Sequence, residues 1–153
     1  LNTEMLEKIL PHAQSRMNVL SDFIPLSAYL VSGTLPITAE DFNGANSDAD
    51  ATVRCLQFVL WTLEAQQDWS RDALFAALKS LSTAMELKPK VLFAPLFVAI
   101  AGGNSGYSMP DSMAILGPDM TRARLRSAID VLGGVSKKAA KRLEKEFAAL
   151  SAS

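Results

Sequence analysis

An all-α multi-helix bundle is the fold class this sequence predicts, and three observations predict it. Apolar residues recur three and four positions apart along most of the chain. No segment alternates β-branched and polar residues as a half-buried strand would. Ser, Asp, Pro and Gly stand where periodic segments begin and end, which is helix punctuation. About two-thirds of the residues read as helical, against roughly one-third in an average globular domain.

Taken in order, Thr3 caps a segment whose Met5, Leu6, Ile9 and Leu10 share one face, with Pro11 interrupting it before Met17 and Leu20. Ser21 starts the next, through Phe23, Ile24 and Tyr29, ending at Gly33. Residues 33–46, GTLPITAEDFNGAN, lack sustained periodicity and read as a long loop. Ser47 and Asp48 open an amphipathic helix with Val53, Leu56, Val59, Leu60 and Leu63 as its stripe. Ser70 caps another, which buries Leu74, Ala77, Leu78, Leu81 and Met85; Trp69 before the cap reads as a packing residue. Pro89 begins a helix to about residue 101 in which no side is polar, and a helix apolar all round is a buried pillar. Pro110 suits the first turn of a short helix stopping at Gly117, and Pro118 the first turn of the next. Gly133 and Gly134 separate that helix from a final basic one capped by Ser136, with Ala140, Leu143, Phe147 and Leu150 inward and its lysines outward. The expected organisation is a first helical subdomain and connecting loop over 1–46, a second helical subdomain over 47–132, and a basic helical extension over 133–153.

The chain has 153 residues, enough for one sizeable core. A single cysteine, Cys55, excludes an internal disulfide framework, and with one histidine, His12, there is no Cys/His cluster of zinc spacing. Cys55 reads as a small buried hydrophobe and His12 as a solvated or capping side chain. No targeting signal or membrane span is visible, so a cytoplasmic location is expected. The first residue is Leu1, which suggests a piece of a longer chain. Net charge is −1 but uneven: residues 1–117 hold 7 Lys+Arg against 12 Asp+Glu, and residues 118–153 hold 8 against 4. An anionic partner would be met in the last quarter.

Catalytic motifs are missing. The sequence has no G-x-x-x-x-G-K-[ST], no G-x-G-x-x-G, no H-E-x-x-H and no nucleophile elbow. Asp48 and Asp50 sit at a helix start, where favourable interaction with the helix dipole accounts for them without acid–base chemistry.

Residues Val91 to Gly102, VLFAPLFVAIAG, then Ser105-Gly106, then Met113 to Gly117, MAILG, and Arg122 to Arg126, RARLR, resemble the closing segment of bacterial glutamyl-tRNA synthetases. That family runs approximately L-F-x-P-L-R-V-A-L-T-G, a small-residue loop, a helix ending L-L-G and an arginine-rich helix. Gln66 to Leu74 is similar to its tryptophan-led helix start, and Ser15-Arg16-Met17 through Phe23 to the helix entering its anticodon-binding half. The resemblance covers most of residues 5–128. These are class I ligases whose catalytic domain carries HIGH-like and KMSKS-like signatures, and neither occurs in this sequence. The resemblance therefore implies an anticodon-binding α-helical cage that positions tRNA(Glu), with no cofactor of its own; ATP and Mg would belong to the catalytic domain of the parent enzyme. The implied partner is the anticodon arm of tRNA(Glu), with no DNA, no membrane and a monomeric state.

Residue by residue, Arg16 falls where the family often has an arginine that reads the third anticodon base. Phe97 stands where the family usually has the arginine of P-L-R; it loses a bidentate donor but keeps a face for stacking. Gly103 stands where a basic residue is common, Gly106 and Tyr107 near the usual Ser/Thr-Pro, and Met109 in place of a leucine. Tyr107 can stack on a base or, as a lone exposed aromatic, serve as a rim residue. Glycines between Gly102 and Gly106 let a chain approach closely, and unpaired bases are read by groups on such a scaffold; equally, the glycines make a tight connection. On the arginine-rich helix, Arg122 and Arg126 share a face while Leu125 turns inward, which offers one pair to tRNA phosphates. The lysines of 137–145, past the family's usual end, matter less and pair with Glu144 and Glu146 on a solvated face. An alternative function stays open: a helical protein-interaction or structural domain that has lost RNA recognition, suggested by Phe97, Gly103 and the acidic first 117 residues.

Overall fold

The computed structural model describes residues 35–45, 48–103 and 106–151. The two segments expected before Gly33, with Arg16 and His12, lie outside the described residues. Within them the elements are a 3-10 turn Ala39–Phe42 and six α-helices: α1 Ala49–Glu64, α2 Arg71–Ala84, α3 Pro89–Ala101, α4 Met109–Leu116, α5 Pro118–Val131 and α6 Lys137–Ser151. Among the described residues the architecture is all-α.

Helix starts follow the side-chain chemistry of their caps. Asp48 accepts from the Ala51 amide at 2.8 Å, Ser70 from Ala73 at 3.3 Å, Ser108 from Asp111 at 3.2 Å and Ser136 from Ala139 at 3.1 Å, each satisfying a first-turn donor that has no intrahelical partner. The loop expected over 33–46 contains structure the sequence reading missed. Thr38 and Asp41 stand at capping-box spacing, the Thr38 amide donates to Asp41 Oδ2 at 2.7 Å, and the resulting turn drives Phe42 into the core. One aromatic in a polar stretch gives no periodicity, which is why the pattern did not reveal it.

Helix α3 is the pillar. It packs against α1, α2, α4 and α5 as well as the 3-10 turn, and Leu92, Pro95, Leu96, Ala99, Ile100 and Ala101 are buried along it. An internal proline costs about 3 kcal/mol in an exposed helix; here Pro95 is itself part of the buried face, so the loss is offset by burial of the surrounding apolar run. Around α3, α1 contributes Leu56, Phe58, Val59 and Leu63, α2 contributes Leu74 and Leu78, and α5 contributes Leu125 and Ala128, all fully buried.

Two helix ends use one hydrogen-bond pattern with different residues. After α5, the Gly134 amide donates to Ile129 O at 2.9 Å and Gly133 to Asp130 O at 3.0 Å, with Gly133 at φ 109°. After α2, Leu87 donates to Ser82 O at 2.8 Å and Glu86 to Thr83 O at 3.0 Å, with Glu86 at φ 59°. Both are Schellman ends, but glutamate occupies the left-handed position that glycine takes after α5.

Helix α6 lies on α1 through one edge. Leu143 is buried and Phe147 and Leu150 are packed against the core. The Phe147 ring sits 5.3 Å from Phe58 and 5.5 Å from Trp61, and Glu146 accepts from Arg54 Nε at 3.0 Å. Glu146 therefore pairs across helices rather than with the lysines of its own helix, because its position faces α1.

Candidate functional site

Arg16 lies outside the described residues, and the other candidate site residues fall at the α3–α4 connection and on α5. Gly102 and Gly103, at φ 64° and 89°, reverse the chain after α3, and their amides bond back to the Val98 and Phe97 carbonyls at 3.0 and 2.8 Å. A side chain at either position would be strained by the backbone alone. The connection returns through Gly106 and Tyr107 to Ser108, which caps α4 and donates to Asp111 Oδ2 at 2.7 Å. Arg71, in the first turn of α2, donates to the other Asp111 oxygen at 3.1 Å. The start of α4 is thus tied to the start of α2.

Phe97 is partly buried, with its ring packed on the core, and Gly106 is half-exposed. Tyr107 and Met109 are both 1% exposed. This corrects the reading of Tyr107 as an exposed aromatic: α4 packs against α2, α3 and α5, and the residues that lead into it are drawn into the same core.

On α5 the three arginines diverge as their spacing requires, but with an unexpected distribution. Arg126 is exposed. Arg122, expected beside it on an RNA-facing pair, turns to the end of α1. Its Nε and Nη2 donate to Leu63 O at 3.2 and 2.7 Å, and Nη2 also reaches Glu64 O at 3.4 Å. These carbonyls lie at the negative end of α1, so the guanidinium complements the helix dipole and adds a charged donor to Leu63 O, which also accepts the Gln66 amide at 3.3 Å. Its face also lies 5.5 Å from the Trp69 ring centroid, and the Trp69 indole donates to Met113 O at 2.7 Å. One arginine and one tryptophan thereby join the α1 end, the α2 start, α4 and α5. Arg124 is 4% exposed and its Nη1 donates to Ile100 O at 2.6 Å, in the last turn of α3.

Cys55 is buried; desolvation pushes its thiol up and the neighbouring Arg54 guanidinium opposes that. An open groove of about 600 Å³ separates the α1 start from α6, but Asp50, Arg54, Arg142 and Glu146 line it with both signs of charge. Among the described residues no group of three or more His, Cys, Asp or Glu is placed to hold a metal, and no helix is long and apolar enough to cross a membrane.

An all-helical bundle with a glycine reversal beside a buried pillar, and three arginines on α5, has clear relatives. The anticodon binding domain family matches residues 1–129, and the chain belongs to that family. Over 151 residues it is 53% identical to a glutamate–tRNA ligase from Cellvibrio japonicus, and over 150 residues 48% identical to one from Saccharophagus degradans. These alignments cover 99% and 98% of this chain but 30% of each relative, so the chain spans about 30% of the length of the curated relatives it matches. The basic extension past residue 129 lies beyond the family's span yet within these alignments. A crystal structure of a glutamate tRNA ligase from Elizabethkingia meningosepticum in complex with its amino acid superposes with a TM-score of 0.74 at 20% identity, over 86% of this chain and 26% of that one. At that identity the likeness speaks for the fold.

Proposed function

We propose that this chain is the anticodon-binding portion of a glutamate–tRNA ligase: it holds the anticodon arm of tRNA(Glu) while a catalytic domain outside the chain, using ATP and Mg, joins glutamate to the tRNA. The observation that carries this is the family match over residues 1–129 together with 48–53% identity to glutamate–tRNA ligases along nearly the whole chain. In this reading the surface at the α3–α4 connection that carries Phe97 and Gly106 faces the anticodon, and Arg16 contributes a base contact. Tyr107 and Met109 support that surface from beneath rather than touching bases, because both are buried. Arg126 is the α5 arginine left to meet a phosphate.

A second reading, a helical interaction domain that has lost RNA recognition, draws on the inward Arg122 and Arg124, which remove two cations from the surface. Filter binding separates the two. The first reading expects salt-sensitive binding of tRNA(Glu) that weakens with a changed anticodon, no aminoacylation by the 153-residue chain, and a loss of about 1–3 kcal/mol for Arg16→Gln confined to tRNAs sharing the base it reads. Equal, weak retention of every tRNA would favour the second.

A further inference from the structure

We infer that Arg124 is a positioning residue for base recognition: from inside the core it fixes the last turn of α3, and so the direction in which the anticodon-facing connection leaves. This rests on the reading that the α3–α4 connection meets the anticodon.

An arginine keeps its charge at any physiological pH, and burying a cation is unfavourable unless strong acceptors receive it. The bundle nevertheless places Arg124 at 4% exposure among the buried Thr121, Leu125 and Ala128 of its own helix. Its Nη1 reaches the Ile100 carbonyl at 2.6 Å. That carbonyl belongs to the last turn of α3, where the dipole is negative, so a charged donor meets an acceptor that the helix end makes more negative. Two residues later come Gly102 and Gly103, both at positive φ. A reversal built from two glycines has a soft direction, and whatever holds the turn before it sets its course.

The far side of the connection is secured differently. Tyr107 and Met109 are buried, and Asp111 ties α4 to Arg71 and Ser108. The exit is thus anchored by the α2–α4 pair and the entry by Arg124. Removing the Arg124 donor loosens one end while the other stays fixed. Phe97 lies one turn before Ile100 and its carbonyl takes the Gly103 amide at 2.8 Å, so Phe97 and the glycines would shift together.

The test uses the full-length protein, with tRNA(Glu) and the same tRNA altered at one anticodon base. Arg124→Met removes the guanidinium and its donors while keeping an apolar stem, and Arg124→Lys restores a cationic donor group. In Arg124→Met the ratio of the two Kd values should fall about tenfold, the scale of one lost charge-assisted bond. The slope of log Kd against log salt should stay unchanged, because no phosphate contact is lost. Amide exchange should rise in a peptide spanning 97–107 and not in one from α6. Arg124→Lys should recover part of the ratio. A ratio unchanged in a folded variant would overturn the inference, as would loss of folding in both variants, which would make Arg124 a folding residue only. A wild-type ratio near one would remove base reading itself, and this inference with it.

Discussion

Helices α5 and α6 are neighbours in sequence and similar in length, and together they supply the positive balance of residues 118–153. Their cations behave differently. On α5, Arg122 and Arg124 donate to main-chain carbonyls at the ends of α1 and α3. On α6, Lys137, Lys138, Lys141, Arg142 and Lys145 are exposed, and the contacts to the bundle run through Leu143, Phe147 and the Glu146–Arg54 pair. A planar guanidinium can bridge adjacent carbonyls and tolerates partial dehydration, whereas an ammonium is strongly hydrated and stays in water. Segment charge thus overstates the charge on offer to a partner when its arginines serve as helix caps.

Cutting the chain after Gly133 tests this contrast most severely. It discards the exposed cations of α6 along with the buried Leu143 and the packed Phe147 and Leu150, and should lower stability by about 2–4 kcal/mol on urea denaturation. If α6 is a packing element, the salt slope of tRNA binding stays nearly constant; a large fall in slope with folding intact would turn it into an RNA-binding arm and reverse the comparison.

Arg122→Gln probes the other helix. With the Leu63 carbonyl losing its charged donor, stability should drop by about 1–3 kcal/mol, and all tRNAs should be affected alike only to the extent that folding is. A slope reduction of roughly 0.7–0.9 without a stability change would return Arg122 to the phosphate-contacting role its position in the sequence suggested.

The smallest effect belongs to the two Schellman ends. Replacing Glu86 by Gly should raise stability by about 1 kcal/mol, since the left-handed conformation penalises every residue with a Cβ. Gly133→Ala should lower it by a similar amount. Equal and opposite shifts in the denaturation midpoint would establish that the two ends differ in strain alone.

Much of this molecule was legible in its sequence because its signals are local. The Asp48, Ser70 and Ser136 caps, the proline starts of α3 and α5, and the all-apolar pillar each announce themselves within a few residues. The site was less legible. Arg122 meets Leu63 across 59 positions and Trp69 meets Met113 across 44, and no periodicity carries such pairings. The spacing of Arg122, Arg124 and Arg126 says that they diverge, not which one finds a carbonyl. The burial of Tyr107 has the same cause: whether an aromatic before a cap points out or in depends on how the next helix packs.

The two tryptophans stand at different seams. Trp61 touches Phe147 where α6 meets α1, and Trp69 holds the corner of α1, α2, α4 and α5 through its indole hydrogen and the overlying Arg122. Their emission therefore separates into two optical channels. In Trp61→Phe the remaining fluorescence follows the opening of the bundle corner, and in Trp69→Phe it follows departure of the last helix. Stopped-flow unfolding of the two variants would time α6 release against loss of the bundle without an added dye.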